Sequence, residues 1–154
     1  MDQVKLIFLQ SQFIPLLYEI DPAVPPRWGK MNEQQMVEHV SAFFKLSSDK
    51  LRLDLITPPE QLPKFKEFLL SEKEFRENTK APVLPEDPLP VRTKDISEAR
   101  KELENEVNEF FYFFRDDPEK TTLHPVFGAL NFSEWILLHY KHVKHHLKQF
   151  GVSI

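Results

Sequence analysis

The residues best suited to chemistry in this sequence are histidines, four of which fall within eight positions near the C-terminus. They are His139, His142, His145 and His146. On an α-helix, at about 100° per residue, His142 and His146 lie one turn apart on one face, whereas His145 points away from them. An i, i+4 pair of imidazoles can place two nitrogens on one cation, as in helix-borne zinc sites. The spacing therefore indicates part of a metal site.

Two ligands rarely hold a metal by themselves, and His39 offers a third. It lies between Met36 and Phe43 on the apolar stripe of a predicted helix, so we expect it to face inward. Three neutral imidazoles with one position left open are typical of a catalytic site and not of a closed structural one. Imidazole suits zinc, nickel, iron and copper alike, so the pattern does not fix the metal.

A plainer interpretation of the same residues stays open. Residues 141–148 could form a solvated basic face near a helix C-terminus, where cations are favoured. Because it points away from the pair, His145 is expected to be a surface residue in either case, whereas His139 is either an alternative ligand or an inner hydrogen-bonding group. His124 is expected only to shape the loop before the last helix.

Other side chains could assist such a site. The acidic run that includes Glu106 and Glu109 indicates a solvated face, although one of these two could support a ligand histidine from behind. Trp28, Trp135 and His139 are expected near the mouth of a pocket. The many phenylalanines recur at helical spacing and are assigned to the core.

Two helices are predicted in the first third of the chain. The first spans about 2–20, and Pro15 should kink or shorten it because proline cannot donate a backbone hydrogen bond. The second spans about 33–47, where Asn32 and Gln35 form a capping-box pattern. This second helix carries His39.

Residues 58–97 form a long, irregular connection. A short amphipathic helix is predicted around Lys64–Leu70. The Pro-rich stretch Ala81–Val91 lacks helical periodicity and should lie as coil over the outside of the protein.

Periodicity returns over Ser97–Arg115, the third long helix. The fourth begins at Asn131 or Ser133 and runs to Phe150, and it carries the histidine cluster. Four helices, with a long Pro-rich crossover between the second and third, predict an all-α four-helix bundle. The length fits one domain over residues 1–154.

Composition excludes several classes of function. A formal charge of -4 and a pI near 5.9 give no basic field for nucleic acid. No run of about 18 apolar residues suggests a membrane span, and the N-terminus does not fit a secretory signal, so cytoplasmic residence is the default expectation. With no cysteine, any metal ligand must be histidine, carboxylate or water, and any reacting thiol must come from outside.

Two end regions carry a family resemblance. The first is Arg27-Trp28-Gly29-Lys30-Met31 followed by Gln35-Met36-Val37-Glu38-His39. The second is His124-Pro125-Val126-Phe127-Gly128-Ala129-Leu130, then Glu134-Trp135, Tyr140-Lys141-His142 and His145-His146-Leu147-Lys148-Gln149-Phe150-Gly151. Together they resemble a DinB-like family of unassigned function, over nearly the whole chain.

The resemblance implies a DinB-like four-helix bundle in which His39, His142 and His146 bind a divalent metal, often zinc or nickel. Some members of that superfamily are metal-dependent transferases that use low-molecular-weight thiols such as mycothiol or bacillithiol. The expected function is therefore a metal-dependent enzyme acting on a small molecule, either a thiol S-transferase or a hydrolase. The alternative is a non-catalytic binding or dimerisation module, such as a homodimer, whose metal site is structural or vacant.

Overall fold

The computed structural model describes residues 1–79 and 85–154, and these residues form a mostly helical protein with one small sheet. The elements in order are α1 (Gln3–Ile7), a π-helical turn (Phe8–Gln12), α2 (Phe13–Leu17), α3 (Glu33–Ser47), a 3-10 turn (Pro59–Gln61), α4 (Leu62–Leu70), α5 (Ile96–Phe114), β1 (Thr122–His124), β2 (Gly128–Leu130) and α6 (Phe132–Gln149). The predominantly helical class is confirmed. No helix in these two ranges combines the length and apolar character needed to cross a bilayer.

The first predicted helix is interrupted by the π-helical turn that precedes Pro15. The N–H of Phe13 donates to the carbonyl of Phe8, five residues back. The ring of Pro15 would clash with the carbonyl of Ser11 in a regular helix, and the wider turn is one way to relieve such a clash. The segment still buries Leu9, Phe13 and Leu17 on one face.

The two helices that carry the histidines begin with complete capping boxes. Asn32 accepts from the N–H of Gln35, and the Gln35 side chain accepts from the N–H of Asn32. At α6 the pair is Asn131 and Glu134, which decides between the two predicted starting residues. Each box satisfies two N–H groups that otherwise lack partners at a helix start.

Four buried aromatic residues show where the helices meet. Helix α3 packs along α5, and α6 packs against α3 and against the N-terminal helical segment. Phe13, Phe44, Phe110 and Trp135, one from each of these units, are all at most 1% exposed. This packing brings the middle of α3 beside the second half of α6.

A β-hairpin precedes α6 where the sequence predicts a loop. Strands β1 and β2 pair antiparallel, with Thr122 opposite Leu130 and His124 opposite Gly128. Three alternating residues per strand are too few for sequence periodicity to reveal. Gly128 has a φ of +83°, which favours glycine, and a Cβ there would also make a tight contact of 3.3 Å with a side-chain carbon of Leu62.

The Pro-rich stretch behaves as predicted where the structure describes it. Ala81–Leu84 lie outside the described residues, while residues 85–91 are irregular and mostly exposed. The carbonyl of Leu89 accepts a hydrogen bond from Gln35 Nε2 at 3.0 Å. Just beyond, the carboxylate of Glu38 accepts from the N–H groups of Arg92 and Thr93. The end of the crossover is thereby fastened to α3.

Loss of the cap on α6 is expected to destabilise the protein. Replacing Asn131 by Ala removes the acceptor for the N–H of Glu134 and should lower the free energy of unfolding by about 1 kcal/mol, measured by urea denaturation. The control is Asn108→Ala, on the exposed side of α5, where alanine should be neutral or slightly stabilising. Equal stability of the two variants would show that the cap contributes nothing.

Candidate metal centre

The structure brings together the three histidines that the sequence predicts as ligands. Nε2 of His142 lies 2.9 Å from Nε2 of His39 and 3.1 Å from Nε2 of His146. In a tetrahedral zinc site with Zn–N bonds of about 2.0–2.1 Å, two ligand nitrogens lie roughly 3.3 Å apart. A small expansion of the triad would therefore accommodate a zinc-sized ion, so three ligand positions fit.

Two helices position this triad. His142 and His146 lie one turn apart on α6, as the helical phase predicts, and His39 lies in the middle of α3. Phe43, one turn after His39, places its ring 5.1 Å from the ring of His39 and 4.9 Å from that of His142. His39 and His142 remain partly exposed, whereas His146 is buried. Phe43 therefore covers one side of the triad.

Burial keeps the triad neutral. It lowers the pKa of His39 to about 4, with a further contribution from His145. Burial also holds the pKa of His142 and His146 well below the usual 6.5, and each is lowered further by nearby imidazoles. Neutral imidazole is the form that binds a metal, so at pH 7 the three side chains are ready to do so.

Gln149 fixes which nitrogen of His146 carries its proton. The amide Nε2 of Gln149 donates to the carbonyl of Trp28 at 2.9 Å, so its Oε1 is left to accept from Nδ1 of His146 at 2.7 Å. With the proton on Nδ1, the lone pair of Nε2 is free to face the triad. Metal ligands are commonly held by such a partner.

From the sequence, Glu106 or Glu109 was the candidate for such a supporting role. Glu106 instead forms an ion pair with Lys50 at 3.0 Å and is buried, so its assignment to a solvated face is also wrong. In the sequence, the only sign of the role of Gln149 was its position on the helix, beside His142 and His146. Its partner Trp28 lies 121 residues away in sequence, and no local pattern signals that contact.

Gly29 allows the segment around Trp28 to approach α6 closely. The N–H of Arg27 donates to the carbonyl of Gln149 at 2.8 Å. A Cβ on Gly29 would lie 3.0 Å from Nε2 of Gln149, and its φ of +78° also favours glycine. This segment therefore fixes the position of the Gln149 side-chain amide, which orients His146.

Removing the hydrogen bond between Gln149 and His146 should weaken metal binding. The variant Gln149→Leu has no acceptor for His146 Nδ1, and we expect its zinc dissociation constant to rise about 10- to 100-fold. Gln61→Leu, on the exposed 3-10 turn, is the matched control and should bind as the wild type does. Calorimetric titration measures both. Unchanged affinity in Gln149→Leu would mean that the amide does not orient the ligand.

The remaining histidines have other partners. His139 is 1% exposed, its Nε2 lies 2.9 Å from Oγ of Ser47, and its ring stacks on Phe44 at 3.8 Å. It is therefore a core residue outside the triad, which settles the choice in favour of the inner hydrogen-bonding role. His145 is half-buried beside Trp28, with ring centroids 5.2 Å apart, and it is not one of the three clustered histidines, as its helical phase predicts.

His124 organises the hairpin turn. Its Nδ1 accepts from the N–H groups of Val126 and Phe127 at 3.0 and 3.2 Å. Burial lowers its pKa to about 3, so it is neutral at pH 7. The prediction that His124 shapes the loop before the last helix is confirmed.

Of the three side chains expected near a pocket mouth, only Trp28 lines a cleft among the described residues. Trp135 and His139 are buried in the core, and Trp135 Nε1 donates to Oγ1 of Thr122, so neither residue lines a mouth. Trp28 does line a cleft, together with His145. This cleft and a second one near the N-terminus both involve Tyr140, and in the described residues neither is lined by a triad histidine.

Fold and site together define a mostly helical protein with a three-histidine cluster that could hold a metal ion. Comparison with protein-family models finds no match, and comparisons with curated proteins and with solved structures find no significant similarity. The DinB-like resemblance remains a prediction from the sequence motifs.

Proposed function

We propose that this protein is a metal-dependent enzyme with a DinB-like four-helix-bundle fold, and that His39, His142 and His146 hold zinc or nickel. The observation that carries the proposal is the convergence of three neutral Nε2 atoms. Within residues 1–79 and 85–154, no further histidine, cysteine or carboxylate joins this group. Three protein ligands leave a position for a reacting molecule, as in catalytic sites.

The leading reaction is transfer to an external thiol, with hydrolysis as the second possibility within the same class. A divalent ion in this site would lower the pKa of a thiol or water in the open position and so supply a nucleophile at neutral pH. His39, His142 and His146 offer their Nε2 lone pairs, Gln149 keeps the proton of His146 on Nδ1, and Phe43 limits access of water. The chain has no cysteine, so the thiol is a cosubstrate.

The first experiment is elemental analysis of protein purified without immobilised-metal chromatography, which avoids loading nickel from a column. We expect one zinc or nickel per chain. The zinc-loaded protein is then mixed with 2-mercaptoethanol and monobromobimane. In this reaction a C–S bond forms, the C–Br bond breaks, bromide leaves and the thiol proton passes to the buffer.

Zinc-loaded wild type should consume the thiol faster than the metal-free protein or zinc-treated His39→Ala. Faster cleavage of 4-nitrophenyl acetate, without faster thiol alkylation, would favour the hydrolase. Equal rates for all proteins in both assays would contradict the enzymatic proposal.

One observation favours a second candidate function. Neither described cleft is lined by the triad, whereas an enzyme of this kind requires a pocket that reaches its metal. The alternative is a binding or dimerisation module in which the histidines are structural. Stoichiometric metal without either activity, together with a homodimer in analytical ultracentrifugation that metal removal dissociates, would establish this alternative.

A further inference from the structure

A second site lies beside the C-terminal half of α6. It is a narrow cleft between this helix, the segment that follows α4, and Trp28, and its lining includes none of the triad histidines. Five lysines and three glutamates line it, an excess of two positive charges.

Lys141 supplies a buried positive charge without a close counter-ion. The residue is only 8% exposed, and its ammonium donates to the carbonyls of Ser71 and Lys73 at 2.5 Å. Both acceptors are neutral, and no carboxylate in the described residues lies within ion-pair distance of Lys141. Buried ammonium groups are rarely left without a charged partner. An anion in the cleft would supply one.

The other lysines of the cleft differ in how many carboxylates they are paired with. Lys5, which also lines the cleft, is paired with Asp2 at 3.3 Å and with Glu72 at 3.0 Å. Lys144 and Lys148 share one carboxylate, that of Glu74, at 2.8 and 3.8 Å. Among the described residues, the cleft therefore leaves Lys141 without a carboxylate within ion-pair distance and gives Lys144 and Lys148 one carboxylate between them.

Aromatic rings form another part of the lining. The ring of His145 contacts Trp28 at 5.2 Å and Phe75 at 5.9 Å between centroids. Trp28 is 9% exposed and Phe75 is half-buried, so both are held in place by the surrounding protein. Flat apolar surfaces next to cationic groups suit a ligand that has a planar apolar part and an acid group.

We propose that this cleft binds a small organic anion with a planar apolar group, its acid group facing Lys141 and Lys144 and its planar group lying against Trp28 and Phe75. The proposal concerns a site distinct from the metal centre. It holds whether or not the triad binds a metal or supports a reaction.

Benzoate and benzamide are suitable probes because they match in size and shape and differ in charge. Each is titrated into the metal-free, full-length protein while ¹H–¹⁵N NMR spectra are recorded. Benzoate should shift the indole Nε1–H signal of Trp28 and the amide signals of residues 141–145 saturably. Its dissociation constant should be at least about fivefold lower than that of benzamide and should rise with salt.

Two substitutions that change the charge of the cleft in opposite directions test whether benzoate binds there. Lys144→Gln should raise the benzoate dissociation constant about two- to fivefold, because it removes a cation and frees Glu74 to repel the ligand. Glu74→Gln should lower it by a similar factor, because Lys144 and Lys148 lose their carboxylate partner. The control is Lys101→Gln, at an exposed position of α5, which should leave it unchanged. Since the two cleft variants act in opposite directions, general destabilisation cannot imitate the result.

Equal affinities for benzoate and benzamide would overturn the proposal. So would benzoate-induced shifts confined to another surface, or an unchanged dissociation constant in both cleft variants.

Discussion

Alanine at His39, His142 or His146 is expected to raise the zinc dissociation constant by at least about two orders of magnitude. Each substitution removes one of three converging nitrogens, and two remaining imidazoles make a weak site. Loss of a ligand should exceed the roughly 10- to 100-fold effect of losing a supporting partner. Calorimetric titration of the metal-free protein with zinc measures the dissociation constant of each variant. The titration is done at pH 7.5, about one unit above the pKa of a free imidazole.

His145→Ala is the matched control, because it removes an imidazole from the same helix without removing a triad nitrogen. His124→Ala should also bind zinc nearly as wild type does, although it loses the acceptor for Val126 and Phe127 and should be less stable. Loss of binding in His145→Ala with retention in His146→Ala would show that the ligand assignment is wrong. Absence of zinc binding in wild type would favour the non-catalytic module.

Acidification is expected to destabilise the metal-free protein steeply below pH of about 6.5. Burial lowers the pKa of His39 to about 4 and that of His124 to about 3, whereas in the unfolded chain both titrate near ~6.5. Between these values the unfolded state binds more protons than the folded state, so the free energy of unfolding falls as pH falls. The stability contribution is complete above pH of about 6.5 and disappears towards the folded pKa.

Each such histidine contributes a slope of up to about 1.4 kcal/mol per pH unit. Burial also lowers the pKa of His139, His142 and His146, so the combined slope between about pH 6 and 5 should correspond to the uptake of at least two protons on unfolding. Urea denaturation at a series of pH values, in the presence of a chelator, measures this slope.

His124→Asn tests whether the buried histidines cause this pH dependence of the stability. The amide oxygen of asparagine can accept from Val126 and Phe127 as Nδ1 does, but the side chain does not titrate. The slope should therefore decrease by about one proton, whatever the overall stability of the variant. A free energy of unfolding that stays constant from pH 7 to 5 would contradict the burial of these side chains.

The pH dependence of metal binding shows how burial changes an expectation from sequence. Imidazoles with an unperturbed pKa near ~6.5 would lose a metal steeply below pH of about 6. Burial of His39, His142 and His146 depresses their pKa values, so protons compete with the metal only at lower pH. Zinc affinity should therefore persist below pH 6 as long as the protein stays folded.

Local interactions were sufficient to predict the helices that carry the candidate site. The bounds of α3 match the prediction because the Asn32–Gln35 capping box and the apolar periodicity lie within a few residues of each other. The same local geometry predicted that His142 and His146 share a face of α6, since a helix fixes the angle between residues four apart. His39 was predicted to face inward from its stripe alone.

Only the tertiary structure decided how these parts act together, because the deciding contacts join residues far apart in sequence. His39 and His142 are 103 residues apart, and Gln149 and Trp28 are 121 apart. The short hairpin gives too few alternating residues to be recognised, and the fate of His139 depends on Ser47 and on stacking against α3. The sequence alone determined the two helices that carry the candidate ligands, whereas long-range packing determined the protonation, the hydrogen-bond support and the burial of those side chains.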